Sequence, residues 1–413
     1  MISKISFKNF KTFTERTSIS FVATPIKRFL CNTTDMPNKK ILKTIGIYGP
    51  NNTGKTCAIL AIANLANIML GRPHENLSNS FIDDDVIEYE VEYYIDKQFY
   101  RYYVQYDCKN NKYIQEQLLS LTTQESNPSV ISEKVLIKRD QDGITISGSR
   151  QSKDLAVLLA NNNPIIMTVR FSEGSLLDIA KKHYIEFANS IVPLRMDLSI
   201  DPSKTIELFR TDEKAAKFIK EFVKNCDLHI EDFSWDDNFR TDVDISDKLP
   251  GMQINNELKF TSRHYGHYVP SFIFDSVGTK KLIAISGYIY DAIKNGKLLL
   301  IDEIDSSLHH IITKALVAMF NNSLNELSQL VFTTHDVLLL DLKHLMRKDQ
   351  IYLTDIDDNK NASIVIRLSD ISSKEENGIR GDEDIVDYYL KGRFGAIPSP
   401  DLFDALVEAT TND

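Results

Sequence analysis

The amino-acid sequence predicts an α/β protein with a lobe built on a parallel sheet, a lobe of antiparallel strands and a helical insertion. Two short apolar runs, 298–301 and 330–333, are typical of strands that are buried on both faces of a parallel sheet. The stretch from 86 to 105 alternates apolar and polar residues, as an antiparallel hairpin with one solvated face does. Between 153 and 223 the pattern is helical, with interruptions near Pro164 and Pro193.

Composition and charge are those of a soluble globular protein. Of the 413 residues, 42% are hydrophobic and 26% are charged. The formal net charge of -10 argues against a chain that coats nucleic acid along its whole surface, although a local basic groove remains open.

The cysteines and the apolar runs of the sequence indicate the cellular compartment of the protein. Four cysteines lie far apart in the sequence and form no CxxC pair, so neither a disulfide framework nor a zinc site is expected. The N-terminus alternates apolar and polar residues instead of carrying the continuous apolar stretch of a signal peptide. The longest apolar runs are too short to span a bilayer. We therefore predict a cytoplasmic protein with no membrane partner.

The order of predicted elements divides the chain into four parts. Residues 1–150 hold a strand pair at the N-terminus, a polar loop at 33–40, a strand at 43–48, a helix at 56–70 and the alternating strands. Residues 151–255 form a mainly helical insertion or arm. Residues 256–370 return to the α/β pattern, with helices at 280–293 and 308–320. Residues 371–413 form an acidic tail that could dock on the body or on a partner.

The first chemical motif is the segment GPNNTGKT at 49–56, between the predicted strand and helix. Glycines let a backbone wrap a phosphate, and the amides of the loop and helix start point at the anion. Lys55 then reaches the β- and γ-phosphates, and the Thr56 hydroxyl is a ligand for Mg²⁺. The residues predicted to hold the phosphates of ATP are Gly49, Asn51, Asn52, Thr53, Gly54, Lys55, Thr56 and Cys57.

The second motif is KLLLIDEID at 297–305, an apolar strand that ends in acids. Ligands bind at the carboxyl ends of the strands of a parallel sheet. Asp302 is predicted to hold Mg²⁺ through its water shell, and Glu303 to orient or deprotonate the attacking water. Alone, such a strand is often only the entry to a solvated loop, and the upstream phosphate motif favours the functional interpretation.

The third motif is LVFTTHD at 330–336, where another buried strand ends in polar residues. His335 is predicted to hydrogen-bond the γ-phosphate or the attacking water, because it follows the strand next in order to the acids. The fourth motif is DSVGTKKL at 275–282, a polar turn that opens a helix. Ser276, Gly278 and Thr279 are predicted to form an anion site there, although Ser276 is equally suited to an ordinary helix N-cap.

Taken in order, these four motifs resemble the series found in ABC-type ATPases. The resemblance implies an ABC-type ATPase head with a RecA-like lobe. It also implies that the turn with Ser276 completes the nucleotide site of a second subunit, so that ATP joins a homodimer or a higher oligomer of dimers. The enzyme is then a Mg²⁺-dependent ATPase.

A closer resemblance covers nearly the whole chain and is weakest between 150 and 255. The stretches KISFKNFKTF, DSVGTKKLIAI and YYLKGRFGAIPSPD, together with the motifs above, resemble bacterial stand-alone SMC/RecF-like ATPases of the AAA-family type, including RloA-like and abortive-infection proteins. Relatives usually have Glu in place of Asp275 and Pro in place of His310. The resemblance implies a sensor or regulatory ATPase of an anti-phage defence system, which controls a separate nuclease or toxin from the same operon.

Two other functions stay open at this point. The chain could be a DNA-binding repair-type ATPase clamp, with Lys343, Arg347, Lys348, Lys391 and Arg393 as candidate phosphate contacts. It could also bind ATP without useful turnover and hold an effector inactive. The acids at 83–85, the pair Asp242 and Asp244, and the histidines 264, 267, 309 and 310 are expected to be surface or structural residues, not a nuclease or metal site.

Overall fold

A computed structural model describes residues 1–72, 78, 84–124, 127–141, 143–147, 163–168, 178, 181–196, 200–226, 230–235, 260–357, 359–371 and 385–391. The predicted α/β class is confirmed within these residues. One six-stranded sheet is mainly parallel, and one seven-stranded sheet is antiparallel. Two smaller sheets of three and two strands accompany them.

The six-stranded sheet carries the strands that the apolar runs predicted. Its order is β11-β15-β16-β5-β17-β18, and all neighbours are parallel except the last pair. The strands are β5 (Thr44–Tyr48), β11 (Ile191–Arg195), β15 (Leu298–Asp302), β16 (Gln329–Thr334), β17 (Ile351–Asp357) and β18 (Ala362–Arg367). In β5, β15 and β16 every residue is buried, which explains why these strands lack polar alternation.

The register of this sheet brings three motifs to one edge. Ile301 of β15 pairs with Phe332 of β16, and Phe332 pairs with Gly46 of β5. The carboxyl ends of the three strands therefore lie side by side, and the residues that follow each strand meet there.

The seven-stranded sheet has the order β10-β9-β8-β7-β6-β1-β2 and is antiparallel throughout. Its strands are β1 (Ile2–Lys8), β2 (Thr17–Ser20), β6 (Val86–Ile95), β7 (Gln98–Asp107), β8 (Lys112–Gln124), β9 (Asn127–Asp140) and β10 (Gly143–Ile146). The predicted hairpin turns at Asp96 and Lys97, which both have positive φ angles. Its buried face is rich in tyrosine, including Tyr89, Tyr93 and Tyr102.

Helix α1 (Lys55–Leu70) lies between the two large sheets. One core is formed by α1, by the inner face of the antiparallel sheet and by the side chains of Leu298 and Leu300. The alternate residues of that strand, Leu299 and Ile301, enter a second core on the other side of the parallel sheet. Because α1 contacts apolar groups on two sides, twelve of its residues are buried.

The second core is covered by α-helices. The remaining α-helices of the described residues are α2 (Ile165–Thr168), α3 (Ser203–Thr211), α4 (Glu213–Cys226), α5 (Ser271–Phe274), α6 (Val277–Asn295), α7 (His310–Phe320) and α8 (Ile385–Leu390). Of these, α2 contributes Ile165 and Ile166 to the first core instead. The small sheets consist of β12 (Asp232–Trp235), β13 (Phe260–His264) and β14 (His267–Pro270), and of β3 (Thr33–Met36) and β4 (Lys39–Leu42).

The structure differs from the sequence-based expectations at two places. The segment 33–40, expected to be a polar loop, forms most of the hairpin β3–β4. Within 151–255, expected to be mainly helical, Pro193 lies in β11, an edge strand of the parallel sheet. An edge strand tolerates proline because the missing N–H is not needed by a second neighbour.

Some expectations fall on residues outside the described ranges. They concern most of the tail 371–413, including GRFGAIPSPD, the pair Asp242 and Asp244, and much of 151–255. Among the described residues, no helix combines the length and the apolar character that crossing a bilayer requires.

Candidate functional site

The loop 49–56 joins β5 to α1 in the conformation that its glycines allow. Gly49 and Gly54 have φ angles of +151° and +99°, and Asn52 has +64°. A Cβ atom on Gly49 would lie 2.3 Å from Oγ1 of Thr354, so only glycine fits at this position. Asn51 and Asn52 are exposed at the outer side of the loop. The backbone thus forms the concave loop that the motif predicts.

Strand β17 contacts this loop through the side chain of Thr354. The hydroxyl of Thr53 lies 2.6 Å from that of Thr354 and donates a hydrogen bond of 2.9 Å to the Pro50 carbonyl. Oγ1 of Thr354 also lies 3.2 Å from the Tyr48 carbonyl oxygen, to which it can donate. Thr354 carries no local sequence pattern that would mark this contact, because it is 301 positions from Thr53 in the sequence.

Lys55 is the first residue of α1, and its side chain folds back over the loop. Its Nζ donates hydrogen bonds to the carbonyl oxygens of Gly49 (2.8 Å) and Pro50 (2.6 Å). Burial lowers the pKa of Lys55 to about 8, against the opposing effect of the carboxylates of Asp302, Glu303 and Asp305. The ammonium is therefore held among acids at the predicted position of the phosphates. Cys57, half-buried, follows in the first turn of the helix.

Thr56 and Asp302 meet at the carboxyl edge of the sheet. Oγ1 of Thr56 donates to Oδ1 of Asp302 at 3.2 Å, and the hydroxyl of Thr333 donates to the same oxygen at 2.6 Å. Asp302 is 2% exposed. A hydroxyl and a carboxylate are oxygen ligands of the kind that Mg²⁺ prefers, so this pair fits the predicted magnesium site. Their roles as ligands remain a prediction.

Glu303 follows with a left-handed backbone conformation, at φ +52°. Its N–H donates to the Thr333 hydroxyl at 2.8 Å, which fixes the start of the loop beside β16. A non-glycine residue at positive φ is strained, and such strain is often found at functional sites.

His335 lies beyond the end of β16 and is exposed. Its partial burial and the cation of Lys55 lower its pKa, while the carboxylates of Asp305, Glu303 and Asp302 act in the opposite direction. Five of the predicted site residues, drawn from three separate motifs, therefore lie within one electrostatic environment. They are Lys55, Thr56, Asp302, Glu303 and His335.

The turn at 275–282 opens α6. The exposed Ser276 is the N-cap, accepting a hydrogen bond from the Thr279 N–H at 3.1 Å, and the two hydroxyls are 2.9 Å apart. A Cβ atom on Gly278 would lie 2.6 Å from the carbonyl oxygen of Ser307, so the glycine permits close contact with the loop after β15. The N-cap interpretation of Ser276 is thus satisfied, and its role in a second subunit remains a prediction.

Asp275, where the resemblance leads us to expect Glu, is buried before this turn. It accepts hydrogen bonds from the hydroxyls of Ser262 and Ser271, and His264 lies 2.7 Å from its Oδ1. His310, where the resemblance leads us to expect Pro, is the first residue of α7, a position at which proline is common.

Two further residues lie near this edge without having been predicted. Asp305 acts electrostatically on both Lys55 and His335, and it is visible in the sequence as the third acid of IDEID. Arg195 ends β11 in register with Asp302, so the two residues share a face of the sheet. No sequence signal marked Arg195, because β11 was not predicted.

The DNA-clamp alternative loses one of its candidate contacts. Arg347 is 2% exposed and forms an ion pair with the buried Asp349 at 2.7 Å, so it has a structural role. Lys391 pairs with Asp387 at 2.6 Å, and Lys343 is exposed. Arg393 lies outside the described residues.

Comparison with solved structures finds SMC head domains at low sequence identity and with TM-scores below 0.5. An SMC head bound to the C-winged helix domain of ScpA is 14% identical, with 88% of this chain and 97% of that chain covered and a TM-score of 0.48. The SMC head domain from Thermotoga maritima is 12% identical, with coverage of 89% and 98% and a TM-score of 0.40. An Smc head with an extended coiled coil, bound to the C-terminal domain of ScpA derived from Pyrococcus furiosus, is 13% identical, with coverage of 88% and 95% and a TM-score of 0.40.

Comparison with curated proteins gave no significant match. A family profile, however, matches residues 45–341, more than half of the chain. The match begins in β5, before the phosphate loop, and ends after His335, so it contains all four motifs. Its description is "AAA domain, putative AbiEii toxin, Type IV TA system". The predicted resemblance to AAA-type ATPases is therefore confirmed, and the chain belongs to this family of AAA domains.

Proposed function

We propose that the chain binds and hydrolyses ATP with Mg²⁺ and works as a dimer in which each subunit completes the site of the other. The observation that carries the proposal is the meeting of Thr56 and Asp302, 3.2 Å apart, beside the loop that holds Lys55. Three elements distant in sequence supply these groups and the Thr333 hydroxyl that orients Asp302. Such convergence at the carboxyl edge of a parallel sheet is typical of a nucleotide site.

Each residue then has a defined task. The amides of 49–56 and the ammonium of Lys55 bind the β- and γ-phosphates, and Lys55 exchanges its present carbonyl partners for phosphate oxygens. Thr56 and Asp302 would hold Mg²⁺, and the bound ion supplies neutralisation of charge on the phosphate oxygens. The backbone of Glu303, fixed by Thr333, directs this carboxylate toward the attacking water, from which it takes a proton.

A Glu303→Gln variant tests the reaction. The amide keeps the size of the side chain and cannot accept the proton, so we expect ATP to bind normally and turnover to fall by about 100-fold or more. Turnover is measured as phosphate release, and binding by titration with ATP. Glu326→Gln is the matched control, because Glu326 is exposed and precedes β16 at the other end of the sheet. Unchanged turnover in Glu303→Gln would refute the assignment of the base.

Support for the dimer comes from the exposure of Ser276 at the start of a long helix. A Ser276→Asp variant keeps a good N-cap and adds a negative charge. If the turn faces the phosphates of a second subunit, this charge repels them, and ATP-dependent dimers and turnover are lost while each subunit still binds ATP. Ser276→Asn keeps the cap without charge and serves as control. Dimers of Ser276→Asp that hydrolyse ATP normally would exclude the composite site.

We further propose that the ATPase is the regulatory component of a bacterial anti-phage defence system and controls a separate effector, a nuclease or a toxin. The family description, which names a type IV toxin–antitoxin system, supports this role. Purification of the chain from its native operon, followed by mass measurement with and without ATP, is the test. We expect a second protein whose association depends on the nucleotide. Recovery of the chain alone under both conditions would contradict the regulatory role.

A further inference from the structure

Asp305, the last acid of the second motif, lies in the loop between β15 and α7. Two hydrogen bonds make the loop compact: Ser306 N–H donates to the Glu303 carbonyl at 2.8 Å, and Leu308 N–H donates to the Asp305 carbonyl at 3.1 Å. Glu303 and Ser307 both adopt positive φ angles within it. The side chain of Asp305 is therefore presented by a backbone that local contacts constrain on both sides.

The same loop runs beside the chain that carries His335. Ile301 pairs with Phe332 in the sheet, and beyond the paired region Ile304 N–H still donates to the Thr333 carbonyl at 3.0 Å. This bond keeps the chain after β15 beside β16, although Glu303 has left the strand conformation. It places Asp305, which follows Ile304, beside Thr334, which follows Thr333 and directly precedes His335.

The carboxylate of Asp305 has an unused acceptor. Its Oδ1 atom is buried and has no hydrogen-bond partner in the described part of the chain. A buried carboxylate oxygen without a donor is costly, and near a functional site such an oxygen is available to a partner that arrives in another state. The groups on which the charge of Asp305 acts are Lys55, His335 and Tyr48.

Of these three groups, His335 is the suitable donor. Lys55 already donates to the carbonyls of Gly49 and Pro50, and phosphates are its expected partners in the loaded site. The Tyr48 hydroxyl is also buried without a partner in the described part of the chain, so it does not reach Asp305, and burial in the second core fixes its ring in that position. His335 is exposed directly after β16, where a change of χ1 rotamer alters the direction of its ring.

We propose that Asp305 is a positioning residue, whose buried Oδ1 accepts a hydrogen bond from one ring N–H of His335 when ATP fills the site. The other ring nitrogen is then directed to the γ-phosphate or the attacking water. A carboxylate that fixes the tautomer and orientation of a histidine is a general device in catalytic sites. The inference rests on the proposed ATPase function and specifies how the histidine is held.

Kinetics of single and double variants test this contact. Asp305→Asn removes the charge and keeps the shape, so we expect kcat to fall about tenfold with little change in ATP affinity. In a His335→Gln background the same substitution should have no further effect, since the residue acts through His335. Asp305→Ser repeats the comparison with a smaller side chain.

Asp336→Asn is the matched control. Its Oδ1 accepts from Leu338 N–H at 2.9 Å, a bond that an amide oxygen retains, so kcat should stay within about twofold of the unsubstituted value. NMR of protein labelled with ¹⁵N in the histidine rings provides a readout without turnover. With a non-hydrolysable ATP analogue bound, the resonances assigned to His335 should report one tautomer, and Asp305→Asn should shift them.

The outcomes separate the inference from the function on which it rests. Equal losses of kcat from Asp305→Asn with and without His335, or His335 resonances that the substitution leaves unchanged, would overturn the Asp305 contact alone. If the unsubstituted protein neither binds nor hydrolyses ATP, the proposed function fails, and the contact that depends on bound ATP fails with it.

Discussion

Replacing Arg347 with methionine should strongly destabilise the fold, because every donor of this buried guanidinium is in use. Its Nε and one terminal N–H donate to the carboxylate of Asp349, at 2.8 and 2.7 Å. The other three N–H groups donate to the carbonyls of Thr24, Ile26 and Arg28, at 2.9 to 3.0 Å. These five bonds exhaust the five donors of an arginine.

The expected magnitude follows from what the substitution leaves behind. The side chains of Arg347 and Asp349 are 1% and 0% exposed. Methionine fills a similar volume but leaves the Asp349 carboxylate buried with only the backbone N–H and hydroxyl of Thr24 as donors. Removing one partner of a buried ion pair costs about 3–5 kcal/mol. We expect the free energy of unfolding to fall by that amount.

The pH dependence of the free energy of unfolding gives an independent check on the ion pair between Arg347 and Asp349. Burial raises the pKa of Asp349, and the hydrogen bonds and charge of Arg347 outweigh this effect, so the folded-state pKa lies below the usual value. A carboxylate with a lowered pKa stabilises the fold above its unfolded-state pKa of about 3.9, and that contribution is lost as the pH falls further. In Arg347→Met this acid-dependent contribution should be absent.

The assay is urea unfolding followed by circular dichroism, with the free energy obtained by linear extrapolation. Lys343→Met is the matched control, since Lys343 is an exposed cation from the same candidate DNA-binding group. It should change stability by no more than about 0.5 kcal/mol. An Arg347→Met protein as stable as this control would refute the structural role of the ion pair.

Two further predictions concern the phosphate loop and the buried His183, which lies in the helical turn Lys181–Phe187 with Nδ1 2.8 Å from the Tyr93 hydroxyl of the antiparallel sheet. Gly54→Ala places a Cβ atom 2.7 Å from Oγ of Ser363 at a φ of +99°, so we expect ATP affinity to fall at least about tenfold and stability by about 2 kcal/mol. Gly143→Ala, at φ +125° with nothing within 4 Å, controls for strain alone and should leave ATP affinity unchanged in the same titration. Burial lowers the pKa of His183 in the folded protein to about 3, whereas the pKa in the unfolded chain is about 6.5. Between these two values only the unfolded chain binds a proton on this imidazole. The free energy of unfolding should therefore fall by about 1.4 kcal/mol for each unit by which the pH decreases. Unfolding free energies measured between pH 4 and 7 should show this slope reduced in His183→Gln, and parallel slopes would contradict the prediction.

The sequence predicted those parts of the fold and site that depend on local patterns. Loop 49–56 carries its glycines where positive φ angles are needed, and the acids end a strand that is apolar throughout. Both signals are short-range consequences of backbone sterics and burial. The alternation of 86–105 fixed the hairpin for the same reason.

Long-range contacts could not be predicted in this way. The bond between Thr53 and Thr354 joins residues 301 positions apart, and neither residue carries a pattern that specifies its partner. Arg347 looked like a surface cation because its burial depends on Asp349 and on three carbonyls about 320 positions upstream. Pro193 was interpreted as an interruption of a helix, because local sequence does not distinguish a proline on an edge strand from a proline that breaks a helix.

The close contact at Gly278 limits how the first turn of α6 can move. The helix backbone there lies against the Ser307 carbonyl without an intervening side chain, and Nζ of Lys281 donates to Ser306 and Ser307 from one turn further along. A helix whose backbone is in direct contact with a loop cannot shift far without moving that loop, because close packing leaves no free space between them. A contact that displaced Ser276 would therefore be expected to displace the 303–307 loop, and with it the backbone of Glu303.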